Sequence, residues 1–214
     1  ATFIHKNPTP EKNAYLVLKF DFSQVNPNPD KVENSFLTHV RIKVNSFLKK
    51  YKTTLGIDEE KSIREIQEID SASDILSTLS GICRDSHVKT YILIDEYDNF
   101  ANTILSSTGK NAYHDLTHGE GFYRAFFNVL KGGTSGMEAP FNRLFLTGVS
   151  PITMDDVTSG YNIGKNVSLS PSFNRMLGFT EEDITRMIEY YRSKGLIDAP
   201  APFLLEVLNR WYGH

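Results

Sequence analysis

The sequence predicts an α/β protein with a mostly parallel sheet flanked by helices. Strand-like runs alternate with helical patterns along the chain, the order from which parallel sheets are built. Residues 91–94 are continuously apolar, which is typical of a central strand covered on both faces, and residues 143–150 form a second buried run. Residues 15–22 alternate instead, with Lys19 and Asp21 on the polar face, and predict an edge strand.

The helices are predicted from apolar stripes and from their capping residues. Asp30 is expected to cap the longest helix, and the Gly132–Gly133 pair is expected to end another. Thr180 and Asp183 form a capping box for a later helix. In chain order, helices are predicted over about 30–51, 58–70, 73–85, 122–133, 180–195 and 200–208, with a further short strand at 167–169.

Size and composition are those of an ordinary globular protein. The 214 residues are 40% hydrophobic and 23% charged, which excludes wholesale disorder. The formal net charge is -3, so the protein as a whole is not expected to attract nucleic acid or an acidic membrane electrostatically. The single cysteine, Cys83, excludes an intramolecular disulfide and indicates a reducing compartment, which we take to be the cytoplasm. No apolar run approaches the roughly 18 residues that span a bilayer, so no membrane association is expected.

Polar side chains follow the predicted strands at the edge where open α/β sheets bind ligands. They are Asp21 and Ser23, Asp95 and Glu96, and Thr147 and Ser150. An apolar strand ending in Asp-Glu has the form of a Walker B strand. There the first carboxylate holds Mg²⁺, usually through water, and the second activates the water that attacks the γ-phosphate of ATP. Thr147, one strand later, is placed to sense that phosphate. The alternative is a solvated strand end whose carboxylates, with Asp98 and Asn99, cap the next helix.

The glycine-rich phosphate loop of such ATPases is missing from the sequence. No segment fits G-x-x-x-x-G-K-[ST], because neither Gly109–Lys110 nor Gly164–Lys165 is followed by Ser or Thr. Without that loop, the phosphates of ATP have neither their cradle of backbone N–H groups nor their lysine. We therefore expect these 214 residues alone not to hydrolyse ATP. The start at Ala1 rather than Met leads us to expect a piece of a longer protein.

Two other metal sites compete with this interpretation. His114 and His118 lie four residues apart, as in zinc hydrolases, but Asp115 stands where their general base Glu would be. Gly119 breaks the helix that such a site needs, so a polar loop is expected there. A metal-dependent nuclease could use the carboxylates that end the first two strands, but the lysine that such a site pairs with them is missing after Asp95.

Six segments, taken in order, carry a family resemblance. They are Asn7–Pro10, Tyr15–Ser23, Tyr91–Asp98, Gly121–Tyr123, Leu146–Ser150 and Gly178–Glu182. Each is modest alone, but the ordered set, from about Asn7 to Gly213, resembles the bacterial AAA-ATPase-like domain family. Members look like P-loop ATPases of the additional-strand class, often followed by a PD-(D/E)xK nuclease-like domain. The family's Walker A segment precedes the first of these segments, so the resemblance implies that this sequence begins after it.

The resemblance implies a role for individual residues. Asp95 matches the Walker B carboxylate that binds Mg²⁺, and Glu96 matches the catalytic glutamate. Thr147 falls at the sensor position beside ATP, and Arg175 is a weaker candidate for facing a phosphate.

The expected protein is thus a P-loop NTPase-like α/β core without its phosphate-loop strand over residues 1–179, followed by the start of a helical lid over 180–214. The second and third strands should be central and the first at an edge. ATP and Mg²⁺ are the expected cofactors. Hydrolysis would drive an unknown task, with nucleic acid as a partner through an appended nuclease-like domain. The alternative is a non-hydrolysing module that senses nucleotide or binds protein.

Overall fold

The computed structural model describes residues 3–136, 139–149, 164–173, 175–176 and 178–212. In chain order its elements are α1 (Phe3–Lys6), β1 (Leu16–Asp21), α2 (Val32–Leu55), α3 (Glu59–Gln67), α4 (Ala72–Asp85), β2 (Thr90–Asp95), α5 (Asn99–Ser107), α6 (Lys110–Thr117), α7 (Phe122–Thr134), β3 (Phe141–Leu146), α8 (Glu181–Ser193) and α9 (Ala201–Tyr212). The chain divides into two compact units, residues 1–164 and 165–214. Among the described residues, none of the helices has the length and apolarity to cross a bilayer.

The three described strands form one parallel sheet in the order β1-β2-β3. The α/β class, the parallel pairing of the second and third strands and the edge position of the first are therefore confirmed. In the register of β1 and β2, Lys19 is paired with Leu93 and Asp21 with Asp95. Because the strands are parallel, their carboxyl ends meet at one edge of the sheet.

One face of the sheet carries the core of the first unit. Leu18, Phe20, Ile92 and Ile94 point into it and are almost fully buried. A cluster of aromatic side chains from β1, the turn after it, α2, α5 and α7 fills this core: Phe20, Phe22, Phe36, Phe100, Tyr123 and Phe126. Burying each such ring stabilises the fold by roughly 1.5–3 kcal/mol, so the core fixes the strands whose ends form the candidate site.

The opposite face is less covered than the sequence predicts. Tyr91, Leu93 and Asp95 of β2 are only half-buried, so the prediction of a strand covered on both faces is wrong for the described residues. β3 was expected to be central, but it is the second edge of the described sheet. Residues 144–146 remain half-buried because no described strand pairs with the outer edge of β3.

Two predicted helix ends are wrong. The N-cap of α2 is Lys31, without a capping side chain, and Asp30 does not cap the helix. The backbone carbonyl of Asn28 instead accepts the N–H groups of Lys31 and Val32, at 2.9 and 2.8 Å. The pair Gly132–Gly133 lies inside α7, which continues to Thr134.

A packing contact explains one of these two glycines. A Cβ atom built on Gly133 would lie 2.4 Å from Cδ2 of Phe141 in β3, whereas one built on Gly132 would meet no atom within 4 Å. Gly133 is therefore required by the close approach of α7 to β3, and not by a helix end.

Two further predictions, a polar loop around His114 and a short strand at 167–169, are wrong. The segment around His114 was expected to be a polar loop, but Lys110–Thr117 forms helix α6. Residues 167–169 form a turn, and the predicted short strand is absent from them. In the second unit, the capping box of Thr180 and Asp183 is confirmed at the start of α8, and Gly195 follows its end with φ 68°.

Candidate active site at the carboxyl edge of the sheet

The ends of β2 and β3 hold Asp95 and Thr147 in direct contact. The backbone N–H of Thr147 donates to the carbonyl of Ile94 at 2.9 Å, and the carbonyl of Thr147 accepts the N–H of Tyr97 at 3.0 Å. These bonds carry the pairing of the strands one step past their ends. The hydroxyl of Thr147 then donates to Oδ1 of Asp95 at 2.5 Å. The two predicted site residues on different strands are thus brought together.

The second oxygen of Asp95 faces a lysine from the neighbouring strand. Nζ of Lys19 lies 3.3 Å from Oδ2 of Asp95, and the two side chains are 58% and 46% exposed. The hydrogen bond from Thr147, and after it that from Lys19, lowers the pKa of Asp95 below its ordinary value. Asp95 is therefore a solvent-accessible carboxylate that stays ionised at neutral pH.

Asp21 lies beside Asp95 in the register, but its oxygens are used locally. Oδ1 accepts the hydroxyl of Ser23 at 2.6 Å and its N–H at 3.1 Å, and Oδ2 accepts the side-chain amide of Gln24 at 3.1 Å. These bonds, led by that of the Ser23 hydroxyl, lower the pKa of Asp21. Asp21 thus shapes the turn after β1.

Beneath Asp21 lies a histidine that the sequence did not single out. Nε2 of His39, in α2, accepts the backbone N–H of Asp21 at 3.5 Å. The ring is 8% exposed and packs beside Phe20 and Phe22. Burial, with a smaller effect from the charge of Lys43, lowers the pKa of His39 to about 4. His39 is therefore neutral at physiological pH, as an acceptor must be.

Glu96 follows Asp95 in an uncommon backbone conformation. Its φ of 54° lies in the left-handed region, which few residues other than glycine adopt. Oε2 of its carboxylate accepts the side-chain amide of Asn99 at 3.1 Å. The left-handed turn lies between β2 and α5. Because of it, the side chain of Glu96 does not follow the alternation of side chains between the two faces of β2.

A buried carboxylate that was expected only to cap α5 instead joins the two strand ends. Asp98 is fully buried, and both of its oxygens lie 3.1 Å from the N–H of Val149. Its Oδ2 also accepts the side-chain amide of Asn102 at 2.7 Å, whereas no hydrogen bond from a helix N–H caps α5 through Asp98. Between these groups, Gly148 packs so closely that a Cβ would lie 2.4 Å from the ring of Tyr97. We call Asp98, Gly148 and Val149 the Asp98 clamp; only the carboxylate of Asp98 is buried, and Gly148 and Val149 are exposed.

The other predicted candidates are not part of this site. His114 and His118 stack with ring centroids 4.2 Å apart, but the described residues contain no group of three His, Cys, Asp or Glu side chains able to hold a metal. Arg175 lies 3.6 Å from Glu182, with both side chains exposed. Ser150 lies outside the described residues.

Two cavities, of about 180 and 410 Å³, lie where Glu33, Glu120 and Phe122 meet, and neither is lined by Asp95, Glu96 or Thr147. Each cavity is lined by three carboxylates, and neither lining contains a described lysine or arginine. We therefore base the candidate site on the hydrogen bonds at the strand ends.

Comparison with known families decides which class of protein this is. A family model described as "Predicted AAA-ATPase" (AAA-ATPase-like) matches residues 1–158. The chain belongs to the AAA-ATPase-like family. No curated protein and no solved structure matches it. In this AAA-ATPase-like chain the matched range contains Asp95, Glu96 and Thr147, and it ends before α8 and α9.

Membership of the AAA-ATPase-like family suggests ATP and Mg²⁺ as cofactors, and the donors at this edge suit that ion. Mg²⁺ prefers oxygen ligands and keeps several waters, so it is commonly bound by one or two carboxylates together with phosphates. Asp95 supplies one accessible carboxylate and Thr147 a hydroxyl oxygen.

Proposed function

We propose that this chain carries the metal-binding and water-activating residues of a Mg²⁺-dependent ATPase domain. In this proposal residues 1–179 are a P-loop NTPase-like core and residues 180–214 begin a helical lid. The observation that carries the proposal is the contact of Asp95 with Thr147 at the ends of adjacent parallel strands. In an AAA-ATPase-like protein, an acidic strand end beside a polar one suits a γ-phosphate and its metal.

Each residue has a distinct part in the proposed reaction. Asp95 would hold Mg²⁺ through water, and bound Mg²⁺ would neutralise charge on the phosphates. Glu96 accepts a proton from the attacking water: Asn99 donates to Oε2, and Oε1 accepts no hydrogen bond from another described residue. Thr147 orients Asp95 through its hydroxyl and would lie at the sensor position beside the γ-phosphate. Since the 214 residues hold no glycine-rich phosphate loop, they account for the metal and water end of the reaction only.

Two variants of neighbouring carboxylates test these roles in the full-length protein. Asp95→Asn should weaken binding of Mg²⁺-ATP, because it removes a negative charge beside the metal. Glu96→Gln should leave binding largely intact and slow hydrolysis by about 10²–10⁴-fold, because an amide cannot accept the proton. Nucleotide affinity and single-turnover hydrolysis are measured for both. Hydrolysis by Glu96→Gln at the parent rate would contradict the proposal.

A non-hydrolysing module that senses nucleotide or binds protein is the second candidate. A broken glycine-rich loop upstream of Ala1 would favour it, and an intact loop ending in Gly-Lys-Ser/Thr would favour the ATPase. It predicts that Glu96→Gln changes neither nucleotide affinity nor turnover. Under the first proposal, hydrolysis would drive a task on nucleic acid through an appended nuclease-like domain, in the cytoplasm.

A further inference from the structure

Lys19 and Asp95 form an ion pair across β1 and β2 at the proposed metal site. We propose that Lys19 competes with the divalent cation: its ammonium group occupies Oδ2 of Asp95 when no metal is bound and must leave that oxygen when the metal binds. This inference rests on the proposed function, since it takes Asp95 as the metal-binding carboxylate. Lys19 is thus a positioning residue that raises the metal concentration at which the site is half-occupied.

The register of the sheet makes this contact possible. Lys19 is paired with Leu93, and Asp21 with Asp95, so Lys19 lies one alternation before Asp95 on the same half-exposed face. A lysine side chain is long enough to cover that diagonal between neighbouring strands. The pair therefore follows from the strand pairing and does not depend on a flexible loop.

Both oxygens of the carboxylate are engaged in the structure described. The hydroxyl of Thr147 donates to Oδ1, and the ammonium group of Lys19 lies against Oδ2. Because Nζ of Lys19 lies 3.3 Å from Oδ2, a divalent cation held at this oxygen, directly or through a water, would lie beside a like charge, and the two would repel. The lysine must therefore move before or as the metal binds.

Lys19 can move at small energetic cost. Its side chain is 58% exposed, and exposed ion pairs contribute little to stability because water screens them. Asp21, two residues along β1 on the same face, offers the displaced ammonium group a second negative charge. The pair thus weakens metal binding without preventing it.

Binding of Mn²⁺ alone, followed by the loss of the free-ion signal in electron paramagnetic resonance, tests the competition without any need for ATPase activity. Lys19→Met should bind Mn²⁺ about two- to fivefold more tightly than the parent at low salt, and this gain should shrink in high salt. Lys19→Arg keeps the charge and should stay close to the parent. Lys89→Met removes the same charge at the opposite edge of the sheet and should change nothing. Asp95→Asn should weaken binding.

The outcomes separate this inference from the proposed function. If Asp95→Asn weakens binding but Lys19→Met binds Mn²⁺ no better than the parent, the competition is refuted and Asp95 keeps its proposed role. If the parent shows no Mn²⁺ binding that Asp95→Asn weakens, both proposals fall. If Lys89→Met tightens binding as much as Lys19→Met, the effect is one of overall charge, and the role of Lys19 is again refuted.

Discussion

Substituting His39 by Gln should remove much of the acid sensitivity of the first unit. The ring of His39 is 8% exposed, and its Nε2 accepts the backbone N–H of Asp21. A protonated ring could not accept that bond and would place a charge among Phe20 and Phe22. Burial accordingly lowers the pKa of His39 to about 4, from 6.5 in the unfolded chain. Glutamine retains an acceptor but does not titrate.

The size of the effect follows from this difference in pKa. Between pH 6.5 and 4 the unfolded chain binds a proton that the folded chain does not, so the free energy of unfolding falls as the pH falls through this window. The loss is about 2 kcal/mol at pH 5 relative to pH 7.5, and about 3 kcal/mol below pH 4. The pKa values of Asp21 and Asp95 are also lowered in the folded chain. The stability that these two carboxylates contribute is present above the pKa that they have in the unfolded chain, and it is lost only at more acidic pH.

Urea denaturation at pH 7.5 and 5.0, followed by far-ultraviolet circular dichroism, measures this loss. Hydrogen exchange of β1 and β2 provides a probe confined to the first unit. The parent should lose about 2 kcal/mol more than His39→Gln between the two pH values. His114→Gln removes an exposed histidine instead and should behave as the parent does. Equal losses in the parent and in His39→Gln would refute the reasoning.

Three further predictions concern packing, and urea denaturation at pH 7 checks each of them. Gly133→Ala should lower the free energy of unfolding by about 1–3 kcal/mol, because its Cβ clashes with Phe141. Gly132→Ala should raise the free energy of unfolding by up to about 1 kcal/mol. Equal effects of the two substitutions would show that the clash relaxes. Asp98→Asn should lower the free energy of unfolding by about 1–3 kcal/mol, because an NH₂ group replaces one of the two buried oxygens that accept the N–H of Val149 and the amide of Asn102. Gly148→Ala should lower the free energy of unfolding by about 1–3 kcal/mol, since its Cβ would lie 2.5 Å from Oδ1 of Asp98. An unchanged urea midpoint would mean that the segment after β3 shifts to make room for the Cβ.

Local patterns were enough to predict the strands and the contact at their ends. Four apolar residues before Asp95 indicated a strand, and a second run before Thr147 indicated another. Parallel pairing then placed both residues at one edge, and the hydrogen bond between them confirms that they meet. The capping box at Thr180 was also predictable, because both of its bonds lie within four residues of sequence.

The contacts that the sequence did not reveal join residues far apart in the chain. The alternating pattern showed that Lys19 lies on a polar face, but only the register with β2 gives it Asp95 as a partner. Gly133 was predicted to end a helix, but it is glycine because the ring of Phe141 leaves no room for a Cβ atom. Phe141 belongs to a different element, so the local sequence did not show this contact. His39 was not predicted as a core residue, because its burial and its bond to Asp21 depend on how α2 packs against β1.

The Asp98 clamp and the ion pair of Lys19 with Asp95 should govern different properties of the site. Asp98 fixes the segment after β3 to the segment after β2 through the hydrogen bonds of its buried carboxylate, and substituting it should cost stability. Lys19 acts through a screened contact at the surface, and substituting it should change metal binding with little effect on folding. Asp95 lies between the two, because Thr147 ties it to the clamp while Lys19 determines its charge environment. A variant of Asp98 that folds with the parent's stability yet binds Mn²⁺ more weakly would contradict this division.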